Sequence, residues 1–390
     1  MSVNKIVYVD NNATTPVDPV VCQVMADFLR SQFGNPSSLY PIGREVKDLI
    51  NEAREEVAKV LGAGRSEIVF TGSGTEADNF AVLGVMDAFP DKKEFITSAI
   101  EHPAIMETAK YLEGKGYRVS YVPVDKTGLI DLDFLRAAVT PRTALVSIMH
   151  VNNEIGTIEP IPQAVRIAQQ AGALFHTDAV QSFGKLDFQV DELGVDLLSL
   201  SSHKVYGPKG VGALYIRKGT NIRPFHHGGH QERGLRAGTE NTAGIIGLGR
   251  AARLLQEKGR EDKARIELLA DRLKKGIQDR IPKVIFNGHP ELRTKNTISL
   301  IILGLEAEAV LLALATKGIC VSTGSACSEE SEEVSHVLMA IGLRPEIARS
   351  CVRLSLGRFN TDQDIDFALQ ELPEIVDKLR QISDFEPDVE

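Results

Sequence analysis

One stretch of this chain gathers groups that chemistry uses together. Leu198-Ser199-Leu200-Ser201-Ser202-His203-Lys204-Val205-Tyr206-Gly207-Pro208 runs from an apolar, strand-like segment into hydroxyls, an imidazole and a lysine, then into a Gly/Pro turn. A lysine at the end of a buried strand is costly unless it pairs with a charge or gives up its proton more easily than in water. Lysine does the second readily, which suits it to Schiff-base chemistry. Ser201 and His203 are placed to hold a phosphate beside it. Taken alone, the stretch also fits a strand that ends in a solvent-facing lysine.

Two upstream stretches repeat the arrangement. Leu145 to Met149 reads as a strand and leads to His150-Val151-Asn152-Asn153. Ala173 to Phe175 leads to His176-Thr177-Asp178-Ala179-Val180-Gln181. Asn153, then Asp178 and Gln181, then Ser201, His203 and Lys204 thus follow successive strands, and open α/β sheets bind ligands beyond the carboxyl ends of their strands. An aspartate there can keep a pyridinium nitrogen protonated and make the ring an electron sink. By itself Asp178 reads as a helix N-cap; its place between Asn153 and Lys204 favours the cofactor reading. A phosphate cradle is also present. The strand-like Glu67-Ile68-Val69-Phe70 is followed by Thr71-Gly72-Ser73-Gly74-Thr75 and an apolar helical pattern. A glycine-rich turn that opens a helix offers free N–H groups and a positive dipole end to an anion, with Gly74 and Thr75 at its centre. It is neither a Walker loop nor a complete dinucleotide fingerprint. Lysine, aspartate and phosphate cradle together point to pyridoxal 5'-phosphate.

Further landmarks extend over nearly the whole chain: Tyr8-Val9-Asp10-Asn11-Asn12-Ala13-Thr14-Thr15-Pro16, Gly34-Asn35-Pro36-Ser37-Ser38, Glu101-His102-Pro103-Ala104, Arg233-Gly234-Leu235-Arg236-Ala237-Gly238-Thr239 and Arg353-Leu354-Ser355-Leu356-Gly357-Arg358. In their order and separation they resemble the cysteine desulfurases of the NifS/IscS kind, pyridoxal-phosphate-dependent enzymes of fold type I and class V aminotransferase-like. The resemblance implies an α/β fold: a large domain with a mostly parallel sheet flanked by helices, plus a smaller α+β domain. It implies roles residue by residue. Lys204 carries the cofactor. His102 stacks on the ring and moves protons. Asp178 partners the ring nitrogen. Gln181 donates to the phenolic oxygen, and Asn153 lies close to that oxygen and to the substrate, which it helps to bind. Thr75, Ser201 and His203 bind phosphate, Arg353 holds the substrate carboxylate, and Thr239 reaches the phosphate of a second subunit, so a homodimer is implied.

Cys327 decides among activities. It sits in Ser322-Thr323-Gly324-Ser325-Ala326-Cys327-Ser328-Glu329-Glu330-Ser331-Glu332-Glu333, a small, polar stretch that reads as a mobile loop. Cys22, Cys320 and Cys351 read instead as buried small hydrophobes. The resemblance makes Cys327 the nucleophile that takes sulfur from L-cysteine as a persulfide, releasing L-alanine. The sulfur is then destined for an acceptor protein such as an iron–sulfur scaffold, or for thiolation. Ser-Thr-Gly-Ser-Ala-Cys differs mildly from the family's Ser-Ser-Gly-Ser-Ala-Cys, and the acidic run after Cys327 is less typical. A selenocysteine lyase or related lyase shares the scaffold, as does a weakly active sulfur-transfer scaffold.

Composition sets bounds. The 390 residues are 43% hydrophobic and 25% charged, ordinary for a globular protein with a sizeable core. A net charge of −9 argues against direct nucleic-acid binding. The start carries no signal-peptide or transit pattern, no apolar run reaches membrane-spanning length, and four scattered cysteines with a reactive thiol suit a reducing cytoplasm. His226-His227-Gly228-Gly229-His230 lacks the ligands that would complete a metal site, and no metal is expected. The charged stretch Gln256 to Lys275 reads as a solvated helix face. Strand–helix alternation spans about Glu67 to Arg217, followed by a helix from about Thr242 to Asp279. Strands are expected at Val284 to Phe286, Thr297 to Ile302 and Gly318 to Ser322. A helix is expected around Ala307 to Thr316 with two more after it, and a disordered tail from Asp384 to Glu390. The division expected is 15–261 as the large cofactor-binding domain and 1–14 with 262–390 as the small domain carrying the loop at about 322–333. The N-terminal strand joins the small domain by resemblance.

Overall fold

A computed structural model describes residues 6–323 and 334–383. The expected tail and most of the Cys327 loop, including Cys327 itself, lie outside the described residues. Seven strands form the main sheet: β2 (Ile68–Thr71), β3 (Glu94–Ser98), β4 (Arg118–Val122), β5 (Thr143–Ser147), β6 (Leu174–Asp178), β7 (Leu197–Ser201) and β8 (Gly212–Ile216), in the order β2-β8-β7-β6-β5-β3-β4. From β7 to β4 all pairs are parallel; β8 runs antiparallel to both β7 and β2. Strict alternation sorts their side chains. Val69, Phe95, Leu145, Leu197 and Leu214 belong to one core, and Phe70, Ile96, Val146, Leu198 and Ala213 to the other. Successive strand residues face opposite ways, so both faces of the sheet are buried under helices. That is why these strands read as continuous apolar runs rather than as polar–apolar alternation.

A second, smaller assembly has its own core. β9 (Val284–Phe286), β10 (Thr297–Ile302) and β12 (Cys351–Ser355) form an antiparallel sheet in the order β12-β10-β9. β1 (Val7–Tyr8) pairs in parallel with β11 (Ile319–Cys320), and bridges Asp10–Ser355 and Ser322–Arg353 tie that pair to β12. Helices Ala307–Thr316 and Asp362–Ile382 pack on this sheet. The helix Thr242–Arg280, 39 residues long, serves both assemblies. Ile245, Ile246, Leu248 and Ala252 enter the core of the large sheet, and Leu269, Ala270, Leu273 and Ile277 enter that of the small one. The stretch between alternates exposed and half-buried residues, and its polar side chains reach out to both assemblies, Lys263 to Asp187 and Asp262 to Arg358.

Three expectations change. The strand expected over Gly318 to Ser322 is only Ile319–Cys320, with Ser322 in an isolated bridge. Among the described residues three helices follow it, not two: His336–Ala340, Pro345–Ala348 and Asp362–Ile382. Strand β12 lies between the last two; its buried Arg353 and Ser355 hide it from an apolar-pattern reading. Cys22 is exposed, whereas Cys351 is buried and Cys320 intermediate. In the helix Pro19–Ser31 Val21 and Phe28 are buried and Val24 and Met25 pack beside them, while Cys22 lies on the exposed face, so an apolar neighbourhood in sequence does not bury it. Among the described residues no helix is long and apolar enough to cross a membrane.

Candidate active site

A cavity of about 520 Å³ opens where the ends of the parallel strands meet the small sheet. Gly74, Thr75, His102, Asn153, Asp178, Gln181, Ser201, His203, Lys204 and Arg353 all line it. Thr239 is exposed and does not line it. Cys327 lies outside the described residues, but both flanks of its segment are fixed at this cavity. Ser322 exchanges two backbone hydrogen bonds with Arg353, at 3.1 and 2.7 Å. On the other side Ser335 Oγ donates to Glu154 Oε2 at 2.6 Å.

Each part has a local cause. β2 ends in the turn Thr71-Gly72-Ser73, and Ser73 caps the helix Gly74–Ala88 by accepting from Glu76 N at 3.0 Å. By helix geometry the N–H groups of Gly74 and Thr75 have no acceptor within the helix. Gly74 is needed for close packing, because a Cβ there would lie 2.9 Å from Val180 Cγ2 and 3.2 Å from Ser201 Cβ. Glu76 stiffens the turn: Oε2 accepts from Gly72 N at 2.9 Å, and Arg236 meets both carboxylate oxygens. Across the cavity, β7 passes through a turn at Ser202–Lys204 into Tyr206, whose φ of 66° is rare outside glycine. Thr15 Oγ1 accepts from Tyr206 N at 2.8 Å, and the Tyr206 hydroxyl accepts from Arg358 N at 2.6 Å, which holds that strained backbone.

Burial sets the electrostatics. Asp178, at the end of β6, accepts from Val180 N at 2.8 Å, and burial pushes its carboxyl up to about 6. Beside it Asp78 is held well above the usual carboxylate range, first by burial and then by Asp178. Asp78 Oδ1 is buried with no hydrogen-bond partner among the described residues. Beneath them His176 bonds Ser147 at 2.8 Å and Ser199 at 2.9 Å and is pushed down to about 3, so it stays neutral. Burial, with Lys204 and His336 adding, lowers His102 to about 4. Its Nδ1 accepts from Ala104 N at 3.1 Å and caps the helix Pro103–Gly114. The neutral ring therefore carries its proton on Nε2 and offers a donor to the cavity. His203 is likewise lowered to about 4, by burial and then by the cations Lys204 and Lys209; its Nδ1 lies 3.1 Å from Thr14 Oγ1.

The residues fit pyridoxal phosphate. A lysine, a helix N-terminus with flanking hydroxyl and imidazole groups, and a buried pair of carboxyls with an unmatched oxygen line one cavity. A protonated ring nitrogen is the positive partner that such carboxyls need.

Sequence reasoning missed a set of residues that face the same space. The segment after β1 crosses from the small sheet into the cavity. Asn12 O accepts from Lys204 Nζ at 2.6 Å and from Gln181 Nε2 at 3.0 Å, and Asn12 Nδ2 donates to Asn153 O at 3.1 Å. Asp10 pairs with Arg353 Nη2 at 2.8 Å, and Arg353 Nη1 donates to Asn153 O at 3.1 Å. Glu154, Ser335 and His336 complete the wall, with His336 Nε2 2.9 Å from Glu101 O. The polar run Asp10-Asn11-Asn12 after an apolar strand was the available signal. Of the histidine cluster, His226 stacks on Phe225 and lies 3.8 Å from Glu76.

Comparison with known proteins agrees over the full length. A model of the aminotransferase class-V family matches residues 7–367. The cysteine desulfurase IscS of Methanosarcina thermophila is 50% identical over 385 residues, covering 98% of this chain and 95% of that protein. The solved structure of a NifS-like protein superposes with a TM-score of 0.90 at 42% identity, covering 96% of this chain and 100% of that one. SspA, solved in complex with cysteine, superposes with a TM-score of 0.79 at 37% identity, covering 91% and 99%. With a matching family model, close full-length relatives and a cavity lined by the expected groups, the chain belongs to the class V aminotransferase family, among its cysteine desulfurases.

Proposed function

We propose that this chain is a pyridoxal-phosphate-dependent cysteine desulfurase that converts L-cysteine to L-alanine and leaves the sulfur as a persulfide on Cys327. The observation that carries the reading is the convergence of Lys204, Asp178, His102 and Arg353 on one cavity, at which both flanks of the Cys327 segment are fixed. When bound, pyridoxal phosphate supplies an electron sink for the pair left as the Cα–H bond breaks. Gly74, Thr75, Ser201 and His203 hold its phosphate. Asp178 keeps the ring nitrogen protonated, and Gln181 and Asn153 face the phenolic oxygen. Arg353, held on one edge by Asp10, binds the substrate carboxylate by a planar fork. Lys204, displaced by the amino acid, takes the α-proton and returns it to the product. The Cys327 thiolate attacks the substrate sulfur; one S–S bond forms, the C–S bond breaks, and the carbon gains a proton to become the alanine methyl. His102 Nε2–H donates to the reacting sulfur. Its Nδ1 is occupied by the helix cap, so the ring serves as donor in this arrangement.

The sulfur passes to an acceptor protein for iron–sulfur cluster assembly or thiolation. The chain works as a homodimer in which Thr239 serves the phosphate of the neighbour, a reading supported by its exposure outside the cavity of its own chain. The large cofactor-binding domain spans 15–261, and 1–14 with 262–390 form the small one, a division supported by the change from one core to the other along the helix Thr242–Arg280. A persulfide carrier suits a reducing cytoplasm. The test is alanine formation from L-cysteine by the cofactor-loaded protein and by Cys327→Ala, with intact mass measured before any reductant. One added sulfur that requires Cys327, with matching alanine, is the expected result. Cofactor binding without cysteine-dependent alanine or added sulfur overturns the proposal.

A further inference from the structure

Lys185 has no part in the chemistry above, yet its side chain reaches the wall of the site. Gly184, at φ 73°, turns the chain ahead of it. Lys185 Nζ then lies 2.5 Å from Gln181 Oε1 and 3.0 Å from Asn12 Oδ1. On its other side the Gln181 carboxamide donates from Nε2 to Asn12 O at 3.0 Å. These bonds settle which way the amide points. An ammonium has donors only, and a main-chain carbonyl only accepts. The amide oxygen must face Lys185 and the amide nitrogen must face Asn12; a flipped amide sets donor against donor and acceptor against acceptor. Nε2 carries two hydrogens, and Asn12 O takes one. The second is left for an acceptor in the cavity that Gln181 lines.

We propose that Lys185 is a positioning residue for the cofactor: by holding Gln181 Oε1 it keeps a carboxamide N–H turned toward the phenolic oxygen of the pyridoxal ring, and it places a second cation behind that bond. The inference rests on the pyridoxal phosphate reading above. Burial, with the nearby Lys204 and Arg353 cations, pushes the Lys185 ammonium down to about 7, so the group is the cation described here below that pH, and the site keeps it against an electrostatic penalty. A lysine that served packing alone would turn its ammonium to solvent. A second, smaller cavity of about 70 Å³ touches both Lys185 and Lys204 and gives room to do so.

The experiment is a pH titration of the visible absorbance of the bound cofactor in the full-length holoprotein, with the rate of cofactor release measured alongside. Lys185→Met removes the clamp and the charge. The midpoint of the titration is expected to rise by about one pH unit, because a phenolate that has lost a cation and an N–H donor holds the neighbouring proton more tightly. Release should quicken about tenfold. Lys185→Arg, which keeps charge and donors, should restore most of both. A Lys185→Met protein with the titration midpoint and release rate of the unaltered chain overturns the inference, whatever its melting temperature. If Lys185→Met does not fold, Lys185→Gln decides, since it keeps a donor for Gln181 and loses the charge. A raised midpoint supports the proposal, and an unchanged one overturns the second cation that it places behind the bond. If the unaltered chain shows no visible band, and no borohydride-fixed cofactor on Lys204, the cofactor reading itself fails and this inference with it.

Discussion

The two walls of the cavity are built in opposite ways. One comes from consecutive strand ends of a single sheet: Asn153 after β5, Asp178 and Gln181 at β6, Ser201 and Lys204 at β7. The other comes from the two ends of the chain, where Asp10 and Arg353 meet across 343 residues and Asn12 reaches back to Lys204 across 192. In the first wall, sheet topology places any residue that follows a strand, so local sequence decides the chemistry. In the second, nothing local decides it. Asp10 and Arg353 are neighbours only because Asp10 and Ser322 bridge to β12. The sheet wall holds the groups assigned to the cofactor, and the chain-end wall holds the arginine assigned to the substrate.

Substitutions can break that contrast. The largest effect is expected in the sheet wall. Lys204→Ala should lower alanine formation by at least about 10³-fold and abolish the visible band of the bound cofactor; a variant that keeps the band would remove Lys204 from the centre of the site. In the chain-end wall, Asp10→Asn leaves a buried guanidinium without its carboxylate. A stability loss of about 3 kcal/mol is expected in denaturant melts, with KM for cysteine raised about tenfold and the cofactor band unchanged. A cofactor band that moves with Asp10→Asn would show that the walls are not separate in function.

Glu101 joins the walls, since its carbonyl oxygen faces His336 and its Oε1 accepts from Ser98 Oγ at 2.5 Å and Met149 N at 2.9 Å. Burial pushes its carboxyl from 4.5 up to about 8. The folded state therefore holds a proton that the unfolded chain releases above its own pKa. Stability from this group is full below pH 4.5 and is lost as pH rises toward 8, at a slope of no more than about 1.4 kcal/mol per pH unit. Glu101→Gln should gain on the unaltered chain across that window when melts are compared from pH 5 to 8; parallel curves would refute the assignment. The smallest effect belongs to the cap on the helix Pro103–Gly114. His102→Ala should cost about 1 kcal/mol more than His102→Asn, because asparagine can cap the helix and alanine cannot. Equal stabilities would mean that the Nδ1 bond contributes nothing, and would leave the ring free to accept a proton there.

Legibility followed the same divide. The strand ends and the glycine-rich turn were readable because buried parallel strands announce themselves as apolar runs and their polar successors stand out. The long helix from Thr242 was readable from its charges. Asp10 and Asn12 left only the signal of a polar run after an apolar strand, and Lys185 left none: their partners are distant in sequence or depend on a turn at Gly184. β12 was hidden by its own function, since a strand that must carry a buried Arg353 cannot look apolar. Cys22 misled in the opposite direction, because hydrophobic neighbours one and two positions away on a helix point to other faces. The family resemblance supplied the role of Arg353; the physical reading of the residues around it did not.

The helix Thr242–Arg280, described above as a shared element, has a mechanical consequence. At 1.5 Å per residue it is a beam about 58 Å long, clamped at one end in the large core and at the other in the small one. A floppy linker would let Arg353 drift relative to Lys204; a beam held at both ends permits only bending or rolling. Between the clamps its charged side chains tie it to both assemblies, Lys263 to Asp187 and Asp262 to Arg358, which limits even that bending.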